Sequence, residues 1–371
     1  MAQKPSSQPM VSSEEAAMRR RVEQSAAARA LATGGVELPK VQPPSLENLE
    51  VTVPRATAPS RDALLERYHE LRREHARRRQ RSPGEPAALG DEVVLDILGF
   101  AHGQPIPGSA RLRLRLELAP RPVLPGLFEG MVGLRVGDST RLLITLPPGY
   151  PVEGLRGAKA EFLVMLHEAW ELTFLPEDSA EFFTQMGRGM TLEEVMHSIA
   201  EELEEQLSDE LWLEAEQRVL DEVAERTQVE LPASLIDEEL RRAWGRGEGR
   251  TLISLNTPLE HQEFSLQAWL ADDFQRQDAV RRLRVSLGLQ ALIESGQLQV
   301  TADDLHGLLD RIASDLGLSS SEVKAALKED RGAARTVAQT ALHLKAVEYV
   351  MDRARIHFEG AEEGRAQLGK A

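Results

Sequence analysis

The sequence predicts an α+β protein: a small antiparallel β domain with one short helix, inserted before a mostly α-helical arm domain. Three observations carry this. Between Gly90 and Leu172 apolar residues recur with a period of two, as in half-buried strands. After Pro176 the period becomes helical and stays so to about residue 357. Hydrophobic residues make up 42% of the chain but aromatics only 4%, a composition suited to helices packed on Leu, Val and Ala. The length of 371 residues gives a prior of two to three domains.

Read in order, residues 1–45 are poor in large apolar side chains and rich in proline, and are expected to be a largely disordered tail with a short helix between Ser13 and Leu31. Residues 46–86 hold an extended segment, then a linker helix capped by Ser60 and ending in an arginine cluster near Arg79. Cations at a helix C-terminus are favourable against the macrodipole; Arg72 to Arg81 otherwise offer a contact for RNA or an acidic partner. The β domain is expected over 87–173. Its clearest strand is Arg111-Leu-Arg-Leu-Arg-Leu-Glu-Leu118, with further strands at 93–98, 139–146 and 160–170 and a helical piece from Leu127 to Val132. The helical domain spans 174–358, and 359–371 is a second tail expected to be disordered.

Helix starts are marked by capping pairs at Asp178/Glu181, Thr191/Glu194 and Ser319/Glu322, and by Thr301. Helices are expected from Thr191 to about Arg226, through Leu235 to Trp244, and at 262–295, 302–316, 320–329 and 333–357, with Gly245, Gly247 and Gly249 punctuating a polar loop. Thirteen acids lie between Thr191 and Arg226, which reads as a solvated face rather than as acid–base machinery.

Composition excludes several chemistries. With no cysteine there is no disulfide or thiolate chemistry, which fits a reducing compartment. The net charge of −16 argues against the whole chain binding nucleic acid. No apolar run approaches the roughly 20 residues of a membrane span, and the first residues do not read as a secretory signal, so a cytoplasmic location is expected. The nine histidines form no i, i+4 pair, and no Walker loop, Rossmann fingerprint or nucleophile elbow occurs. No cofactor or metal is expected. Prolyl cis–trans isomerisation is a reaction that needs none of these groups: a pocket that desolvates and twists the imide lowers its barrier of about 18–20 kcal/mol.

The motif order resembles the FKBP-type isomerase family. Gly90-Asp-Glu-Val-Val-Leu-Asp-Ile-Leu-Gly-Phe100 matches its opening strand; Leu124-Pro-Gly-Leu-Phe-Glu-Gly130 with Gly133-Leu-Arg-Val-Gly-Asp138 matches its signature turn; Pro148-Gly-Tyr150 and Gly157-Ala-Lys-Ala-Glu-Phe162 complete the order. More narrowly, the chain resembles the trigger factor family, in which this domain precedes helical arms. Thr191-Leu-Glu-Glu-Val195, Val229-Glu-Leu-Pro-Ala-Ser-Leu-Ile-Asp-Glu-Glu238, Val300-Thr-Ala-Asp-Asp-Leu305 and Ser321-Glu-Val-Lys324 follow that family's helix starts in order, and the likeness covers residues 46–357.

The resemblance implies an ATP-independent chaperone for unfolded or nascent polypeptides. The alternatives are an active FKBP-type prolyl isomerase, or a dedicated binding protein for one partner. It also implies a proline pocket at Ile97, Ile106, Val123, Leu124, Leu127, Tyr150 and Phe162. The family's aromatics are replaced by aliphatics at Ile97, Ile106 and Leu127, so isomerase activity is expected to be weak or lost. The family's ribosome-docking motif, Gly-Phe-Arg-x-Gly-Lys-x-Pro, does not occur in this sequence, and neither a membrane nor a specific nucleic acid is expected as a partner.

Overall fold

The computed structural model describes residues 38–54, 58–119, 124–177 and 179–359. In chain order these form β1 (Glu50–Val53), α1 (Arg61–Glu74), β2 (Arg77–Gln80), β3 (Glu92–Ala101), β4 (Gln104–Pro105), β5 (Arg111–Glu117), β6 (Ser139–Thr145) and β7 (Lys159–Thr173). The helices α2 (Ala180–Met186), α3 (Leu192–Arg226), α4 (Ala233–Arg246), α5 (Glu248–Ser254), α6 (Leu259–Ala271) and α7 (Asp273–Gly296) follow. Then come α8 (Ala302–Leu316), α9 (Ser320–Glu329), α10 (Arg331–Met351) and β8 (Arg355–Phe358). The α+β class is as the periodicity indicates. The chain divides into two compact units, one of residues 61–201 and 240–275, the other of 1–60, 202–239 and 276–371.

The first unit is built on a six-stranded sheet with β7 and β3 at its centre, antiparallel to each other. β2 and β6 share one side of β7; β4 and β5 share the far side of β3. One face carries the core: Val93, Leu95 and Ile97 from β3, Leu142 and Ile144 from β6, and Phe162, Val164 and Leu166 from β7. β3 is apolar on both faces because its other side is covered too: Leu98 and Phe100 pack with Trp244, Leu252 and Leu255 of α4 and the α5 region.

Several expectations are corrected here. The linker helix stops at Glu74, and Arg77–Gln80 is a strand on β7 rather than a helix end. Its arginines are held by cross-strand and neighbouring carboxylates, which outweigh the modest gain of cations at a helix terminus. The segment Leu127 to Val132 is a run of turns, not a helix, flanked by Gly126 and Gly133 at φ of 90° and 92°, values that favour glycine. Of the pair Asp178/Glu181, Asp178 lies outside the described residues; the N-cap of α2 is Ser179, whose hydroxyl accepts from the Phe182 N–H. The expected stretch 262–295 is two helices meeting at Asp272. Residues 245–249 are helical except for a break at Gly247, so the expected polar glycine loop does not form.

The second unit has its core where α3, α7 and α10 meet: Val219, Leu220 and Val223 pack with Val285, Leu289 and Leu292 and with Ala346, Val347 and Val350. Leu49 and Val51 of the β1 segment enter the same cluster. Arg226, at the end of α3, donates to the carbonyls of Ser45, Glu47 and Asn48 and so fixes this segment. Part of the expected N-terminal tail is therefore packed: Leu38 sits against Leu235 and Leu283. The last helix ends at Met351 instead of 357, because Arg355–Phe358 leaves it to pair in parallel with β1. Capping boxes at Thr301/Asp304 and Ser319/Glu322 start α8 and α9.

Candidate functional site

The expected pocket positions come together, but as packed interior. Ile97 is 6% exposed, Ile106 1%, Leu127 7% and Phe162 4%, and all four belong to one core cluster with Phe128 and Met131. Leu124 and Tyr150 lie half-buried at its margin, and Val123 lies outside the described residues. The loop that carries Ile106 is tied to β3: its N–H donates to the Gly99 carbonyl at 2.8 Å, and the Ser109 hydroxyl donates to the Ile106 carbonyl at 2.7 Å. Gly99 itself permits the arrangement. A Cβ there would meet the Phe162 ring at 2.7 Å and the Ile106 Cδ1 at 3.2 Å, so the ring lies directly on the glycine backbone. Burying a Phe or Ile side chain contributes about 1.5–3 kcal/mol, and opening a cleft for a proline ring here would forfeit part of it.

Tyr150 is the remaining polar group of this set. Burial pushes its phenol pKa up, so the hydroxyl stays protonated at neutral pH and is able to donate a hydrogen bond. Among the described residues the hydroxyl has no such partner. The described positions of the set thus supply aliphatic walls at Ile97, Ile106, Leu124 and Leu127, the Phe162 ring and one phenol, with no aromatic ring at the three positions where the family has one.

The arginine cluster is spent within the first unit. Arg72 pairs with Glu177, Arg73 with Glu117, Arg77 with Glu181, and Arg78 with Glu92. Arg79 holds Glu85 and Glu171, and Arg81 holds Asp91. Glu85 is held at about 2 by its hydrogen bonds from Arg79 and from the Ser82 N–H. Cations that are each paired with at least one carboxylate present little net field to a polyanion.

Sequence reasoning missed a groove of about 880 Å³ on the outward face of the sheet. Its floor includes Leu98 and Phe100 of β3 and Leu163 and Met165 of β7; one wall is Leu255 to Pro258 with His261, whose ring stands 5.2 Å from that of Phe100. The other boundary is β6, with Ser139 to Arg141. The signal was present in β3, whose apolar residues occupy both faces.

Comparison with known proteins bears on the whole chain. Residues 84–167 match the family described as FKBP-type peptidyl-prolyl cis-trans isomerase, and residues 191–352 match bacterial trigger factor protein C-terminus. A trigger factor of Bacillus mycoides is 30% identical over 274 residues, covering 72% of this chain and 62% of the relative. One of Haemophilus ducreyi is 26% identical over 324 residues, covering 86% of this chain and 70% of the relative. A solved structure of the trigger factor chaperone, from work on promiscuous substrate recognition in folding and assembly, is 19% identical over 85% of this chain and 73% of that one, with a TM-score of 0.36. The first relatives are thus spanned over 62% of their length.

Fold and site together define a class, an FKBP-type β module whose expected pocket positions lie largely in one buried apolar cluster, followed by a helical module. The chain carries, in order, a segment that matches the FKBP-type isomerase family and one that matches the trigger factor C-terminus, and along most of its length it is similar to trigger factors. Among the described residues no helix is long and apolar enough to cross a membrane.

Proposed function

We propose that this protein is an ATP-independent chaperone of the trigger factor type, which binds unfolded or nascent polypeptides in the cytoplasm and has weak or no prolyl isomerase activity. The observation that carries the reading is the match of residues 191–352 to the trigger factor C-terminus, collinear with the FKBP-type match at 84–167. The second half of the statement is supported by the aliphatic residues Ile97, Ile106 and Leu127, which are buried with Phe162 in one packed cluster. Exposed large apolar residues on the helices, among them Trp212, Leu259, Phe264 and Phe274, supply contacts of the kind a client would use. Client affinity is modest, on the order of micromolar, because ordering an unfolded chain offsets much of the contact energy.

The test is aggregation of a chemically unfolded protein with and without the full chain, run beside an isomerase assay on a proline tetrapeptide. Slowed aggregation with near-background isomerisation is the expected result. No slowing in several-fold excess of the chain removes the chaperone reading and favours a protein dedicated to one partner. Ribosome contact through the family's docking loop is not expected, since its motif does not occur in this sequence. Tight, salt-resistant co-sedimentation with ribosomes refutes that part.

A further inference from the structure

We propose that the open edge of β6 takes an extended polypeptide segment as an added antiparallel strand beside the outward groove. The inference rests on the chaperone reading for the identity of its occupant, an unfolded client segment of about seven residues.

The direction of each backbone group on β6 follows from its ladder. The Leu166 N–H donates to the Asp138 carbonyl at one end, and the Leu146 N–H donates to the Ala158 carbonyl at the other. Between them the register runs without a shift from Ser139 opposite Met165 to Thr145 opposite Lys159. In an antiparallel ladder hydrogen-bonded pairs alternate with non-bonded ones. Thr140, Leu142 and Ile144 therefore exchange bonds with β7, while Ser139, Arg141, Leu143 and Thr145 turn their N–H and C=O groups away from it. Among the described residues β6 pairs with β7 alone, and no hydrogen bond reaches those four backbone sites. The same four side chains lie on the exposed outward face, while Leu142 and Ile144 enter the core.

Edge strands of soluble proteins are guarded by charge, proline or a bulge. β2, on the same side of β7, is guarded by Arg77, Arg78 and Arg79. β6 has neither proline nor bulge; its one charge, Arg141, is engaged at 3.0 Å by Glu161 across the strand pair, and Leu143 stands 83% exposed. Donors and acceptors spaced two residues apart fit an extended backbone and no compact ligand. Such a strand needs no sequence beyond alternate apolar residues, whose side chains share the face of Leu143 and of the groove floor at Leu163 and Met165. A second copy of β6 would fit the same edge, but each copy carries a net charge of −16 and repels the other.

The probe is a fluorescent nonapeptide of alternating valine and threonine, added to the full chain. Two peptides N-methylated on alternate amides, one set on each edge of the strand, are compared with it. Blocking one set should weaken binding on the order of tenfold, and blocking the other should change it little, since only one edge of the added strand faces β6. Hydrogen exchange should slow at the Arg141 and Leu143 amides and not at Leu142. Arg141→Pro removes one outward N–H without touching the β6–β7 ladder and should weaken the peptide while folding is retained. The same loss for both methylated sets, or unchanged exchange at Arg141 and Leu143 with peptide bound, overturns the proposal. So does a concentration-dependent dimer in which those amides are already protected, which assigns the edge to self-pairing. Aggregation suppression is read in parallel: suppression with no edge protection defeats this site alone, and its absence defeats the chaperone reading.

Discussion

Gly99 decides how much room the inherited pocket positions have. With no Cβ, it lets the Phe162 ring settle against β3 and fills the place between Ile97 and Ile106. Gly99→Ala is expected to destabilise the protein by about 1–3 kcal/mol, because both neighbours are packed and have nowhere to move. Urea unfolding monitored by circular dichroism measures this; an unchanged midpoint contradicts the packing. Filling also bears on catalysis. Isomerisation of a proline tetrapeptide should be slow, and Tyr150→Ala should alter that slow rate little. A catalytic efficiency equal to that of good FKBP-type enzymes would contradict this expectation. The replacement of aromatics at Ile97, Ile106 and Leu127 was legible in the sequence, since it needed only motif alignment. That these positions share one buried cluster with Phe162 was not, because it depends on how that ring lies against a glycine in another strand.

At the scale of elements, local signals and long-range pairings separate cleanly. The caps at Thr301 and Ser319 involve residues three apart and were readable directly. Thr301→Ala should cost about 1 kcal/mol, seen as a lower Tm in calorimetry. Strands β2 and β8 were read as helix ends because their partners lie far along the chain: Arg79 sits opposite Glu171, and Arg355 opposite Glu50. The hold of β2 should depend on pH. Hydrogen bonds from Arg79 and Ser82 depress Glu85 to about 2. A carboxylate depressed in the folded state stabilises it above the ordinary range near 4.3 and loses that contribution as pH falls toward about 2. Asp304 and Glu322 are lowered as well, through the Thr301 and Ser319 caps, with the same sign. Amide exchange at Ser82 and in the first turns of α8 and α9 should therefore rise, after correction for intrinsic rates, between pH 5 and pH 2.5. A flat profile over that window would mean that these carboxylates contribute nothing.

For the whole molecule, the covering of β3 links the two kinds of sequence. Residues 240–275 read as part of the helical half, yet Trp244, Leu252 and Leu255 pack on the outward face of the sheet. Deleting residues 90–172 should leave much of the holding activity in place, as most exposed apolar helix residues remain. It should also uncover Leu252, buried completely in the intact protein, and so increase self-association. Light scattering of the deletion variant beside the full chain measures both effects; a monodisperse variant would show that the packing on β3 is dispensable. The acidic stretch from Glu193 to Glu225 keeps such surfaces apart, so added salt should increase association of the deletion variant.

The order of periodicities, from alternating to helical, determined by itself that a β module precedes helices, and the collinear motifs carried the resemblance to trigger factor that the matches at 84–167 and 191–352 bear out. Both are properties of neighbours along the chain, where a single residue type at a fixed spacing carries the information. Three matters were decided only in the folded molecule. The arginine cluster, legible as a basic patch, is neutralised because seven separate carboxylates converge on it from β3, β5, β7, α2 and the loops beside them. The pocket positions, legible as a set, lie largely in one buried cluster because a glycine at position 99 lets the Phe162 ring lie directly against β3. The free edge of β6 exists because β7 is long enough to be shared by two strands on one side, and which of them is guarded depends on where each pairs. Pairing and packing are relations between distant residues, and no spacing in a single sequence encodes them.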